Sequence, residues 1–263
     1  MAPGWDRRRD YVWDASRAVS VQMVATLAPE PGDTILELAA GTGETGFAAA
    51  AVVGTDGQLI STDFSPEMIE AARRRAAELE LRNVDFRVMD AEHIDLRDAS
   101  VDGVLCRWGY MLMADPGAAL AETRRVLRPG GRLSFSVWGA PERNPWASIS
   151  GAAIVKHGHM PPPEPGAPGI FAMAEEGRIR ELVAGAGFED PQIDEVSIEW
   201  RFEDFDDYWR FVCELAGGLA MVIATLSDDD RGAVRETIRT EAEPYHVGDG
   251  YRMPGLCFNA VAI

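Results

Sequence analysis

An acid, three glycines and a second acid stand at spacings that could hold a nucleoside. Glu37 closes a short apolar run that begins at Thr34, and Gly41, Gly43 and Gly46 follow it. The glycines spell G-x-G-x-x-G, a turn that lets a ligand approach a helix N-terminus. In a dinucleotide site that turn meets a pyrophosphate, which a carboxylate at the strand end would repel. Glu37 instead suits a ligand that bears an amine or a sulfonium. Asp63 ends the next apolar run, 20 residues after Gly43, at the spacing of an acid that accepts from ribose hydroxyls. Ser65 already fits a helix N-cap, which leaves Asp63 free for a ligand. Asp90 and Ala91 follow a third run, and Arg107 and Trp108 end a fourth. Open α/β sheets bind ligands at the carboxyl ends of their strands.

The elements that must position these residues alternate. Apolar runs predict strands at 34–38, 58–63, 84–89, 101–107 and 131–138. Helical spacing and caps predict helices at 44–53, 65–80, 115–127 and 174–186. An apolar stripe of Val12, Ala15, Val19, Met23 and Leu27 predicts a leading helix over 12–27, stopped by the turn residues 29–33. Strand–helix alternation implies a parallel sheet covered on both faces, with right-handed crossovers. Residues 139–171 hold seven prolines (Pro141, Pro145, Pro161, Pro162, Pro163, Pro165 and Pro168), so an ordered loop or lid is expected there. Residues 203–246 predict two helices, the second opening at Ser227. The tail 256–263 predicts a final antiparallel strand, hairpinned with 192–200. The fold class is α/β: a Rossmann-like doubly wound sheet, mostly parallel with a final antiparallel strand, plus a helical and loop cap. One domain is expected, its core at 30–140, 172–200 and 254–263, with cap or lid segments at 1–29, 141–171 and 201–253.

Composition narrows the function classes. Of the 263 residues, 43 are acidic and 25 basic, a net charge of −18. That argues against nucleic acid and anionic membranes as partners, since both need a basic surface. The runs Arg7–Arg9 and Arg73–Arg75 read as solvated faces. Cys106, Cys213 and Cys257 are odd in number and set among apolar residues, which predicts free thiols rather than a disulfide or zinc site. No signal-peptide pattern and no membrane-length apolar run is seen, so a cytoplasmic enzyme, monomer or homodimer, is expected.

The stretch 34–46 resembles motif I of the class I S-adenosylmethionine (SAM)-dependent methyltransferases, with Ala39 where that pattern has its first glycine. Val101–Trp108 resembles the family's motif IV. Leu127-Arg128-Pro129-Gly130-Gly131 resembles the turn into its fifth strand. Within the superfamily the chain most resembles the small-molecule methyltransferases of the ubiquinone/menaquinone-biosynthesis kind. The resemblance implies SAM as cofactor and S-adenosylhomocysteine (SAH) as product. It places Glu37, Ala39, Gly41, Thr42, Gly43, Asp63, Phe64, Ser65, Met68, Asp90, Ala91 and Arg107 at the cofactor. Phe64 and Met68 would flank the adenine, Asp90 would accept from its amino group, and the Ala91 amide would donate to it.

Tyr11, Trp13, Trp108, Tyr110 and Trp138 are the candidate acceptor pocket, and their aromatic lining suits a flat or greasy metabolite, including one of secondary metabolism. Segments Trp5–Trp13 and the helix ending in Tyr208-Trp209 resemble substrate-covering elements of bacterial members. Tyr11 and Trp13 are expected at a flexible end that gates the site. An activated methyl group needs mainly an in-line nucleophile and exclusion of water, so a base is optional. His157, His159 and His246 are candidate bases, and no metal is expected. Two other readings remain at this stage. One is a methyltransferase-like protein that binds SAM or SAH without methyl transfer, as a cyclase or a binding module. The other is an NAD-dependent oxidoreductase, suggested by the literal glycine pattern.

Overall fold

The computed structural model of this chain describes residues 2–164, 166–215 and 218–263. Pro165, counted above among the prolines of the expected lid, lies outside the described residues. Eight strands among the described residues form one sheet: β1 (Thr34–Glu37), β2 (Gln58–Asp63), β3 (Val84–Val88), β4 (Val101–Arg107), β5 (Leu127–Trp138), β6 (Gln192–Phe202), β7 (His246–Val247) and β8 (Gly250–Ala262). Their order is β3-β2-β1-β4-β5-β8-β6, with β7 added to β8. From β3 through β5 every pairing is parallel. Strand β8 runs antiparallel to β5, β6 and β7. The sheet is thus mostly parallel and mixed at one end.

The helices are α1 (Ala2–Arg7), α2 (Arg9–Leu27), α3 (Glu44–Val53), α4 (Pro66–Glu78), α5 (Pro116–Val126), α6 (Pro145–Lys156), α7 (Glu176–Gly185), α8 (Phe205–Leu215), α9 (Gly218–Thr225) and α10 (Asp228–Ala242). Right-handed crossovers put α3 and α4 on one face of the sheet and α5 on the other. Helix α2 packs on α3 and lies across β4, β5, β6 and β8, while α7 packs on α5. Strands β1 and β4 therefore flank the point where the strand order reverses, the crevice where such sheets take ligands. Strand β4 is covered on both faces and reads as a continuous apolar run, as buried parallel strands do.

Local sequence sets these elements. Helix α4 starts where Ser65 accepts from the Met68 amide with Pro66 at the first helical position. Helix α10 starts on Ser227, with three aspartates in its first turn. Helix α2 buries Val12, Val19, Met23 and Leu27 along one stripe.

Several boundaries depart from expectation. Residues 139–171 hold a helix, α6, as well as a loop. Pro145 stands at the first turn, where its missing N–H costs nothing, so proline density does not exclude the helix. The buried Asn144 side chain before it donates to Gly139 O and Leu256 O at 3.1 Å and accepts from Leu256 N at 2.9 Å. That fastens the β5–α6 corner to β8. Helix α2 starts at Arg9, three residues before the expected start, and follows α1 directly. Among the described residues, 203–246 carry three α-helices rather than two. Strand β8 begins at Gly250, and it meets β6 through the α8–α10 excursion rather than a hairpin turn. Residues 127–131, expected as a turn, already belong to β5, with a register shift between Val101 and Gly103 opposite.

The arginine runs are not simply solvated. Arg8 bridges Asp207 of α8 at 3.0 Å and Glu214 at 2.7 Å, and Arg75 meets the buried Glu44 at 2.9 Å. Cys106 and Cys257 are buried free thiols, and Cys213 is a half-buried one.

Candidate functional site

The glycine turn is built by two carboxylates. Glu37 is fully buried at the end of β1. Its Oε1 accepts from Gly46 N at 2.7 Å and its Oε2 from Ser61 Oγ at 3.2 Å. A Cβ on Gly46 would lie 2.2 Å from Glu37 Oε2, so the third glycine is needed for this clamp. Burial pushes the Glu37 carboxyl up to about 8, against the pull of the Gly46 amide and the nearby Arg107 charge. Asp63, at the end of β2, accepts from Gly41 N and from Ser65 N, each at 2.9 Å. It thus ties the turn to the start of α4. Burial raises its carboxyl above the ordinary value.

Backbone conformation shapes the crevice. Gly41 and Gly43 have φ of 57° and 89°, the left-handed region that glycine enters freely. Ala39 follows with φ 51° and Trp108 with φ 59°, and neither is glycine. These two stand just past β1 and β4, the strands at the reversal point. A Cβ on Gly109 would meet the Cβ of Ala39 at 2.7 Å and Cys106 Sγ at 2.6 Å, so the two strand ends close on each other there.

Around the turn, Thr42 is buried and Met68 half-buried. Phe64 is 77% exposed, and Val88, the last residue of β3, is 55% exposed. Both stand beside Asp63: Phe64 follows it in sequence and Val88 is its register partner on β3. Asp90 is exposed, accepts from Glu92 N at 2.9 Å and lies 3.6 Å from His93. Ala91 beside it is half-buried. A nucleoside fits this donor and acceptor set: each Asp63 oxygen keeps a free lone pair for a hydroxyl, and Phe64 offers a ring face.

The expected acceptor pocket is drawn differently from its sequence outline. Trp108 stacks on Trp138 at 4.3 Å, and Trp138 meets Trp146 at 4.8 Å. Trp146 meets Trp200 at 5.2 Å, and Trp200 packs on Phe211 and Tyr11. Trp146, Trp200 and Phe211 join this cluster because α6, β6 and α8 converge on it, which spacing along the sequence does not reveal. Tyr11 lies inside α2, half-buried, with its hydroxyl on Arg201 O at 2.9 Å. Trp13, also inside α2, is half-buried. The flexible gate expected of these two is instead a helix held by ion pairs. Tyr110 is fully buried against Phe135, its hydroxyl 2.7 Å from Thr123 of α5. The structure puts it on the α5 face, apart from the tryptophan stack.

Arg107 sits deep in the fold yet keeps part of its surface open. It lies over the Trp108 ring at 4.4 Å and donates to Ser16 Oγ of α2 at 3.1 Å. The histidines gather elsewhere. His157 shares a hydrogen bond of 2.8 Å with Thr237 of α10, His159 lies 3.9 Å from Asp230, and His246 is exposed beside Tyr251. Among the described residues no group of three or more His, Cys, Asp or Glu is placed to hold a metal ion. No helix among them is long and apolar enough to cross a membrane.

Residues 29–157 match the model of a methyltransferase-domain family. The chain is 40% identical over 112 residues to an arsenite methyltransferase of Halobacterium salinarum, covering 43% of this chain and 29% of that one. It is also 40% identical over 119 residues to the ubiquinone/menaquinone biosynthesis C-methyltransferase UbiE of Acidiphilium cryptum, covering 44% of this chain and 47% of that one. The chain therefore spans about a third to a half of the length of these curated relatives. The crystal structure of the YcgJ protein of Bacillus subtilis shares the fold, with a TM-score of 0.63 at 18% identity, covering 94% of this chain and 98% of that one.

Proposed function

We propose that this chain, which belongs to the class I SAM-dependent methyltransferases of the UbiE-like kind, methylates a small hydrophobic or aromatic metabolite. The observation that carries the reading is the join between Asp63 Oδ2 and Gly41 N at 2.9 Å beside the bare Phe64 ring. It brings an acid for ribose, a glycine turn and an apolar lip to one strand-end crevice.

In this reading the Gly41-Thr42-Gly43 turn lets the amino-acid end of the cofactor approach the backbone, its Gly41 and Gly43 amides already held by Asp63 Oδ2 and Ala40 O, with Ala39 just before it. Asp63 takes the ribose hydroxyls. Phe64 and Met68 flank the adenine, and Asp90 and the Ala91 amide read its edge. Ser65 holds the start of α4. Glu37 acts through the turn it clamps. When bound, SAM supplies a methyl group activated by its sulfonium. The chain's own contribution is to orient the acceptor in line, exclude water and let the acceptor's proton leave. Trp108, Trp138 and Tyr11, joined by Trp146 and Trp200, wall the acceptor space, and Trp13 stands nearby on α2. We assign no base: His157, His159 and His246 bond or face elsewhere. The acceptor atom (oxygen, nitrogen or carbon), a role in secondary metabolism, a cytoplasmic location, and a monomeric or homodimeric state complete the proposal.

Calorimetry with SAM, SAH and NAD tests the cofactor. Micromolar binding of the first two and none of NAD is expected, and the reverse would overturn the assignment. Transfer of a labelled methyl group to aromatic metabolites tests the activity. SAM binding without transfer across a broad acceptor panel would favour a binding module or cyclase.

A further inference from the structure

Arg107 is a cation without an anion. It forms no ion pair among the described residues, and its one hydrogen bond goes to the neutral Ser16 hydroxyl. Each acidic neighbour that its charge reaches is Glu37, Glu44 or Cys257. Glu37 spends both oxygens on Gly46 N and Ser61 Oγ, and with a carboxyl near 8 it is mostly protonated at neutral pH. Cys257 is held up to about 12 by burial and is a neutral thiol. Glu44 is committed to Arg75 at 2.9 Å and Arg9 at 3.6 Å. Desolvated charges are costly and are nearly always paired.

Polar groups next to Arg107 are also open. Trp108 Nε1 and Ser136 Oγ are buried with no hydrogen-bond partner, and so is Asn259 Oδ1. Ser136 is the register partner of Arg107 on β5, and Asn259 is the partner of Ser136 on β8. Trp108 and Ser136 both face the Cys257 thiol, whose sulfur is only a weak acceptor. Buried polar groups left open in this way call for a ligand or a water. The guanidinium rests on Trp108, the first ring of the Trp108–Trp138–Trp146 stack, so the open charge belongs to the aromatic wall.

We infer that Arg107, with Trp108 beside it, is an anion subsite of the acceptor pocket, and that the acceptor is a planar aromatic acid, a carboxylate or phenolate on a ring lying along the tryptophan stack. The inference rests on the methyltransferase reading for the word acceptor, but the subsite itself is testable without it. Its occupant could also be the carboxylate of the cofactor's amino-acid end. The experiment separates the two.

2-Naphthoate and its neutral counterpart 2-naphthamide are titrated by tryptophan fluorescence and calorimetry, with and without saturating SAH. Wild type should prefer naphthoate by about 10-fold or more, in the presence of SAH as well as in its absence. Arg107→Gln should erase that preference by weakening naphthoate about 10- to 100-fold, leave naphthamide unchanged, and move SAH affinity by less than about 3-fold. Arg107→Lys should keep part of the preference. Equal binding of the two probes to wild type overturns the inference, and that arm needs no variant to fold. An Arg107→Gln protein that loses SAH affinity while keeping the probe ratio also overturns it, and assigns the guanidinium to the cofactor. Failure of wild type to bind SAH at all sinks the methyltransferase reading and leaves the naphthoate comparison standing.

Discussion

Replacing Glu37 by glutamine should change how stability depends on pH more than it changes stability itself. Glutamine keeps the shape and one acceptor for Gly46 N, and its amide can donate to Ser61 Oγ, so both bonds of the clamp have a counterpart. What it removes is a titration. In the folded protein the carboxyl is held near 8, against an ordinary value of 4.5. The raised folded value means that the native state retains a proton which the unfolded chain has released. The stabilisation is complete below about 4.5 and is lost as pH rises towards 8, after which both states are ionised. Within that window each pH unit costs wild type about 1.4 kcal/mol relative to the variant. At roughly 2–4 °C per kcal/mol for a chain of this size, that is roughly 3–6 °C per pH unit. Melting of both proteins at pH 5, 6, 7 and 8 is the assay, without cofactor. The variant should melt at or below wild type at pH 5 and above it at pH 8. Parallel profiles would show that Glu37 is ionised throughout, and the neutral-clamp argument would fall with them.

Asp63→Ala removes the acceptor of Gly41 N and of the proposed ribose contacts, and SAH affinity should fall about 10- to 150-fold by calorimetry. Asp63→Asn, which keeps one acceptor oxygen, should lose less; equal losses would mean that only the charge matters. Asn144→Ala strips the corner that joins Gly139, Leu256 and Trp146 Nε1, leaving buried backbone groups open. It should cost about 3 kcal/mol in denaturant unfolding, and a loss under about 1 kcal/mol would show that water replaces the side chain. Removal of residues 1–14 takes away the Arg8 bridges to α8 and the Tyr11 bond to Arg201 O. It should therefore lower the melting temperature as well as turnover, and a truncated protein of unchanged melting point would restore the view of this segment as a loose gate.

The half of the chain with regular α/β rhythm was legible because local signals fix it. Ser65-Pro66 starts α4 by capping chemistry that needs no tertiary partner. The strand at 101–107 is apolar on both faces and could only be central. The spacing of Gly41 and Asp63 put both at strand ends, but their mutual bond was not legible, since it joins the turns after two different strands. The cap was less legible. Proline at a first helical turn favours the helix it seems to forbid, so proline density alone hides α6. Its role depends on Asn144 reaching β8, more than 100 residues away in sequence. Tyr110 departs from the expected pocket because residues next to Trp108 in sequence need not share its face. The left-handed turn at Trp108 sends the chain to the α5 side.

That turn and the one at Ala39 explain why the crevice exists. A non-glycine residue in left-handed backbone costs about 1–2 kcal/mol, and two such residues stand at adjacent strand ends. Nothing in the apolar pattern of β1 or β4 requires them. Without them both strands would run on over the top of the sheet. With them, β1 bends into the α3 turn on one face and β4 bends toward α5 on the other, so the chain parts at the reversal point. Gly109 lets the two bends touch, since any side chain there would collide with Ala39 and Cys106. The same bend at Trp108 lays its ring on Trp138 and under the Arg107 guanidinium. One left-handed residue thus shapes both the strand-end crevice and the aromatic cluster beside it. That sharing predicts a coupled loss. Trp108→Gly would relax the backbone yet remove the ring, and acceptor affinity should fall while SAH affinity is held or improved. A variant that lost both equally would show that the ring supports the cofactor site as well, and the division between bend and ring would fall.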